Sequence, residues 1–128
     1  MAIVENERNI IKNLEKSRDY LEAALEYSGG THDFDDVVEA VLKGNMQLWC
    51  ADDAAAVTEI IVYPKKKSLH VFLAGGNMDT LLEMYKSAEI WGKQLGCDAF
   101  TIAGRKGWQR VFNNHGFEPL CMYLKKEL

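Results

Sequence analysis

The chain has little cysteine, no long apolar run and no excess of positive charge, and each shortage excludes a class of protein. Its three cysteines, Cys50, Cys97 and Cys121, are an odd number without C-x-x-C spacing, which argues against a disulfide framework or a zinc site. The longest apolar stretches, such as Ile60-Ile61-Val62-Tyr63, fall far short of the ~18 residues that span a bilayer. The start, Met1-Ala2-Ile3-Val4-Glu5, has no basic region ahead of an apolar segment. No membrane is therefore expected, and the chain reads as cytoplasmic. Nineteen acidic against fifteen basic residues give a net charge of −4, so no nucleic acid is expected on a surface that repels it. Repeats and low-complexity tracts are missing too, and the 128 residues are expected to form one domain, 1–128, around a single core.

What is present is an unbroken order of strand, glycine turn, helix, strand and helix between Leu69 and Phe117. The apolar run Leu69 to Leu73 meets Ala74-Gly75-Gly76-Asn77, a long amphipathic helix is expected from Asp79 to Leu95, and a strand comes next from Ala99 to Ala103. Gly104-Arg105-Lys106-Gly107 then opens a shorter helix ending near Asn114. Upstream, a helix is expected over Glu5 to Tyr27 with Ile10, Ile11, Leu14, Leu21 and Leu25 on one face, stopped by Ser28-Gly29-Gly30. A second helix is capped by Asp33, with Asp36 three positions on. Strands are expected at Met46 to Cys50 and Ala55 to Tyr63, making a meander with Leu69 to Leu73, and a last alternating strand at Leu120 to Lys125. The sheet is thus mixed, antiparallel first and with a crossover helix later.

The turn into the long helix is where a ligand is expected, because unpaired N–H groups at the positive end of a helix dipole hold phosphate. Charge agrees with that half of the chain. Most carboxylates fall between Glu5 and Asp53, while Lys65 to Lys67, Arg105, Lys106, Arg110, Lys125 and Lys126 come later. Lys65 to Lys67 also fit a solvated hairpin tip after Pro64.

Two helices, a meander, a long helix, a strand, a short helix and a last strand resemble the layout of the GNAT (Gcn5-related N-acetyltransferase) superfamily. Trp91-Gly92-Lys93-Gln94-Leu95-Gly96-Cys97-Asp98 and Gly116-Phe117 are similar to the family's cofactor helix and its closing motif. More narrowly, Gly30-Thr31-His32, Gln47-Leu48-Trp49, Leu73-Ala74-Gly75-Gly76 and Gly104-Arg105-Lys106-Gly107-Trp108-Gln109-Arg110 resemble GNAT-like proteins of tailed phages and prophages, and a phage-encoded chain would work in the host cytoplasm. The resemblance implies an α/β fold, a GNAT-like mixed central sheet flanked by helices, here lacking the usual first strand and the full C-terminal hairpin. It implies acetyl transfer from acetyl-CoA to an amine, with coenzyme A held at Gly75, Gly76, Asn77 and Thr80. Leu73 stands at the position of the family's usual glutamine or arginine, Met78 at that of its second loop glycine, and Phe112 at that of its tyrosine acid. The alternative it leaves open is a catalytically silent GNAT-like phage protein acting in assembly or host interaction, with a protein partner or as a homodimer.

Such a reaction needs a base, an acid for the thiolate and donors for phosphate. Glu59, sharing a strand face with Val57, Ile61 and Tyr63, is the first candidate base or else an edge-facing or paired carboxylate. His70 is the second candidate base or a packed strand histidine. Tyr123 is the replacement acid or a half-buried strand tyrosine. Arg105, Lys106 and Arg110 are candidate donors to the phosphates of coenzyme A or to carboxylates of a partner. Trp49 and Trp108 read as core or interface anchors.

Overall fold

The computed structural model describes residues 2–105 and 107–128; Lys106, one of the expected phosphate donors, lies outside the described residues. Helix α1 spans Ala2–Leu25 and buries Leu14, Ser17, Leu21 and Ala24 as one stripe spaced three and four apart. Ile11, expected on that stripe, is instead 45% exposed. The stripe continues through the small residues Ser17 and Ala24, which let other elements approach closely, and a face drawn through large apolar residues alone passes them over. Helix α2, Phe34–Leu42, starts at a complete capping box: Asp36 N–H donates to Asp33 Oδ1 at 2.9 Å and Asp33 N–H to Asp36 Oδ2 at 3.0 Å.

The sheet runs in the order β1 (Gln47–Cys50), β2 (Ala54–Val62), β3 (Lys67–Gly76), β4 (Ala99–Ile102). The first three strands are antiparallel neighbours, and β4 lies parallel to β3, reached through the crossover helix α3 (Met78–Gln94). A short helix α4, Trp108–Asn113, comes after β4. Strand alternation divides the core into two layers. Ala55, Val57 and Leu73 pack with Leu14, Leu21, Phe34 and Val37 under α1 and α2. Ala54, Ala56 and Val71 pack with Leu81, Tyr85 and Phe112 under α3 and α4. Trp49, on the α3 side, sets its ring edge-on to Trp91 at 5.8 Å and donates Nε1–H to Thr58 Oγ1 at 2.9 Å, as befits a core anchor.

Two strand expectations fail. Strand β3 does not stop at Leu73: it continues through Gly75 and Gly76, which pair with Ala55 and Ala54, so the glycines are strand rather than turn. The strand expected over Leu120 to Lys125 does not form; residues 117–128 have no regular structure, and Leu120, Met122 and Leu124 are exposed. Alternation says which side a strand would bury, but only a neighbouring strand makes it one, and none lies beside this segment.

A bulge in β3 redirects the far end of that strand. Val57 faces Leu73 but the next residue, Thr58, faces Val71, so Phe72 is an extra residue in β3. The consequence is visible in the core: Val71 packs under α3, whereas Leu73, two residues on, packs under α1. Pairing of β3 with β4 ends at Val71 and Ile102, at the same point.

Candidate functional site

Beyond Val71, strand β3 turns with its bulge and β4 does not accompany it, so the two parallel strands part. Each leaves backbone donors and acceptors facing the opening, an edge that an extended ligand can use. One register step before the opening, three polar residues form a row across three strands. Glu59 on β2 is paired with His70 on β3, and His70 with Thr101 on β4. Phe100 and Ile102 pack under α3, so Thr101 faces the α1 side, as Glu59 does next to inward-facing Val57. His70 Nδ1 and Thr101 Oγ1 share a hydrogen bond of 2.8 Å. The structure thus brings together two of the three expected catalytic residues, and it adds Thr101, which no sequence pattern singled out.

Burial holds the His70 imidazole below its ordinary titration range, opposed by the charge of Glu59. That shift fixes the sign of the pH effect. The unfolded chain takes up the His70 proton near pH 6.5, while the folded chain takes it up only at lower pH, so stability present above 6.5 is lost as pH falls through that window. We expect Tm to drop between pH 7.5 and 5.5, and by less in His70→Asn; equal drops in the two proteins would remove His70 as the cause.

The phosphate-binding expectation at Gly75 and Gly76 meets a steric obstacle. A Cβ on Gly75 would lie 2.8 Å from the backbone oxygen of Tyr20. Gly76, at φ +104°, is backed by Asp53 O and by Ala54 Cα at 2.6 Å. Both glycines therefore serve close approach of the chain to itself, and the space freed by their missing side chains is filled by α1 and by the start of β2. Of the other expected donors, Asn77 N–H is given to Asp53 O at 2.9 Å, and Thr80 N–H to the capping Asn77 Oδ1 at 3.1 Å. The Met78 and Asp79 amides are the first-turn donors that this cap does not use, and the Asp79 carboxylate beside them opposes an anion. Leu73 is 3% exposed in the α1 core, so only its backbone is open to a ligand. The open β3 edge offers main-chain groups to an extended ligand, but Gly75 and Gly76 leave no cradle for a pyrophosphate.

Arg105 stacks over Tyr27 at 4.3 Å and over Trp108 at 5.5 Å, joining the loop after β4 to the loop after α1. Trp108 can reach it because Gly104 carries no side chain where the indole lies. Arg110 is exposed in the last turn of α4. Tyr123, expected to replace the missing tyrosine acid, is 97% exposed in the C-terminal segment and is not on a strand. Phe112, at the family's acid position, is buried and packs on Tyr85, Trp108 and Phe117. Its neighbour Tyr85 has a buried hydroxyl with no hydrogen-bond partner among the described residues, and burial pushes its pKa up, so it keeps its proton. His32, given no site role in the sequence, stacks on the bulge residue Phe72 at 4.7 Å and shares a hydrogen bond of 2.7 Å with Thr31 Oγ1. Two cavities of about 110 and 170 Å³ lie on the α3 side, against Leu69, Gly92 and Cys97 and against Tyr85, His115 and Phe117. Both are well under the roughly 300 Å³ at which drug-sized ligand pockets begin, and neither reaches Glu59 or His70.

No protein-family model matches the chain, and no curated protein matches it. Solved structures do. A GCN5-related N-acetyltransferase from Ralstonia eutropha JMP134 superposes with a TM-score of 0.72 at 15% identity, over 91% of this chain and 94% of that one. A predicted acetyltransferase from Clostridium acetobutylicum, in a structure with acetyl-CoA, gives 0.64 at 11%, over 94% and 91%. A Trypanosoma brucei acetyltransferase gives 0.62 at 9%, over 91% and 94%. Identities this low speak for the fold, and they do so over nearly the whole of each chain: this protein has a GNAT-like fold.

Proposed function

We propose that the protein is a coenzyme A-dependent N-acetyltransferase that moves an acetyl group from acetyl-CoA to an amine. The observation that carries this reading is the position of the Glu59–His70–Thr101 row, one step from the place where β3 and β4 part. When bound, the cofactor supplies an activated acetyl group. This chain's own residues would do the rest. The unpaired β3 backbone beyond the bulge would line up with the extended arm through main-chain hydrogen bonds, a mode that needs no particular side chain at Leu73. Backbone amides of the first α3 turn, Met78 and Asp79, would stand in for the displaced glycine cradle, with Arg105 from the loop after β4 and Arg110 from α4 as charged donors.

Proton handling would fall to the row. An amine arrives as ammonium and must lose a proton before it can attack. Glu59, half-buried, would accept it, and the second proton that the nitrogen sheds on acylation would pass through water to the departing thiolate, since Phe112 offers no hydroxyl. His70, kept neutral by burial, would not tie the carboxylate into an ion pair, and the Thr101 hydrogen bond would fix the imidazole. With Nδ1–H donating to Thr101, the Nε2 lone pair would face the amine side as a second acceptor.

A second reading is favoured by one observation, the closure of Gly75 and Gly76 by Tyr20 and Asp53. In that reading the chain keeps the fold without the chemistry and acts in assembly or host interaction, as a phage-encoded scaffold would. Thermal denaturation separates the two. Acetyl-CoA at 100 times its Kd stabilises a binding protein by about 2.7 kcal/mol, so sub-millimolar cofactor should raise Tm by several degrees. An unmoved Tm, together with no heat in calorimetry, would remove the acetyltransferase reading and leave the scaffold one.

A further inference from the structure

We propose that the C-terminal segment Leu120–Leu124 is a strand in waiting, and that its partner is the free edge of β4 in a second copy of this chain. Both halves of such a contact are on each molecule and neither is used. β4 ends the sheet, so alternate N–H and C=O groups of Ala99–Ile102 have no strand neighbour on that side among the described residues. The segment supplies the complement: Leu120, Met122 and Leu124 alternate with Cys121 and Tyr123, and the four large apolar side chains are 79–97% exposed. Apolar side chains contiguous in this way mark an interaction surface, and scattered single ones do not.

Charge sets the direction and the partner. β4 is flanked by Asp98 before it and Arg105 after it; the segment is flanked by Glu118 before it and by Lys125 and Lys126 after it. Antiparallel pairing brings Glu118 to Arg105 and Lys125 to Asp98, with opposite charges at both ends. The molecule's own segment runs the other way. Phe117 is held against Phe100 near the start of β4, at 5.5 Å between rings, and the Lys125 side chain comes within 3.9 Å of the Cβ position of Gly29, in the loop whose neighbour Tyr27 lies under Arg105. Within one chain, the segment therefore takes its lysines toward Arg105, like charge to like. A second copy related by a two-fold axis is free to approach in the favourable sense. Such an exchange is self-complementary and closes, leaving neither tail nor edge over, whereas a foreign partner would satisfy only one of them.

The test uses the unaltered chain. Light scattering should give twice the 14.5 kDa chain mass, falling to that mass on dilution. Amide hydrogen exchange should show the Ala99–Ile102 and Leu120–Leu124 amides protected at high concentration, with protection lost in parallel with the fall in mass. Met122→Pro, which removes one donor from an exposed segment and leaves the folded core untouched, should give the single-chain mass with an unchanged circular dichroism spectrum. A chain that is monomeric at every concentration overturns the proposal, and so do β4 amides that stay protected through dilution, because their partner is then the same molecule. A dimer whose mass survives Met122→Pro also overturns it.

Discussion

Replacing Gly76 with alanine should cost about 3 kcal/mol or more of folding stability, with no cofactor present, since strained φ costs ~1–3 kcal/mol and overpacking typically costs ~1–3 kcal/mol more. Both penalties combine at this residue. The backbone sits at φ +104°, where an L side chain is strained, and the new methyl would be driven into Asp53 O and to 2.6 Å from Ala54 Cα, atoms of the main chain that cannot rotate aside. For a domain of this size about 3 kcal/mol corresponds to a fall in Tm of roughly 10 °C. Gly107→Ala is the control: its φ of −62° is ordinary and a Cβ there meets nothing within 4 Å, so the Tm should move by little. The comparison bears on function as well as fold. A glycine kept for a phosphate would leave the apoprotein stable when changed to alanine and would weaken only the cofactor. If Gly76→Ala melts with the parent chain and loses acetyl-CoA, the glycines are the cradle after all, and their contacts with α1 and β2 are secondary.

That reversal at the glycines shows where the sequence was legible. Asp33, Asp36 and the period of Val37 and Val41 specify α2 by local chemistry alone, and the structure reproduces the capping box atom for atom. The meander and the crossover helix are equally local in origin, since turn residues and apolar periods mark them one after another. Gly75-Gly76 is different. The same pair suits a turn, a phosphate loop or a close approach, and the choice is made by Tyr20, far earlier in the chain, whose backbone the sequence does not place. The final strand failed for a related reason, as alternation is local but pairing is not. Thr101 was invisible because nothing in Ala99-Phe100-Thr101-Ile102 announces that its hydroxyl meets His70; register across the parallel pair does that.

The division of the sheet into two faces gives the site its logic. Under α3 the layer is apolar, built from Val71, Leu81, Tyr85 and Phe112. Under α1 and α2 it is apolar only as far as Val57 and Leu73, and the row of Glu59, His70 and Thr101 lies past that boundary, next to the bulge. The bulge is what joins the two: one extra residue in β3 both ends pairing with β4 and exchanges the faces of the residues after it. A ligand entering along the open edge would therefore meet a dry wall on one side and titratable groups on the other.

Glu59 is the first candidate for the base of the proposed acetyl transfer. If it is the base, Glu59→Gln keeps the size and the hydrogen-bonding reach of the side chain and removes only the carboxylate, so acetyl-CoA turnover should fall by ~10²-fold or more. Cofactor affinity should stay near that of the unaltered chain, because the proposed holding groups are main-chain atoms of β3 and of the first α3 turn, which the change leaves in place. Stability should also hold. Glu59 is half-buried, and no ion pair among the described residues includes it: Arg105 is committed to Tyr27 and Trp108, and Arg110 is exposed on α4. Loss of a carboxylate there leaves no buried cation unpartnered, which is the circumstance that costs several kcal/mol. The one charge-sensitive neighbour is His70, whose proton affinity Glu59 raises; without the carboxylate its titration should move further down, and a histidine NMR titration of Glu59→Gln reads that shift directly. A variant that folds, binds acetyl-CoA, shows the displaced histidine and turns over at the parent rate would place Glu59 beside the chemistry without a part in it, and would pass the base's role to His70.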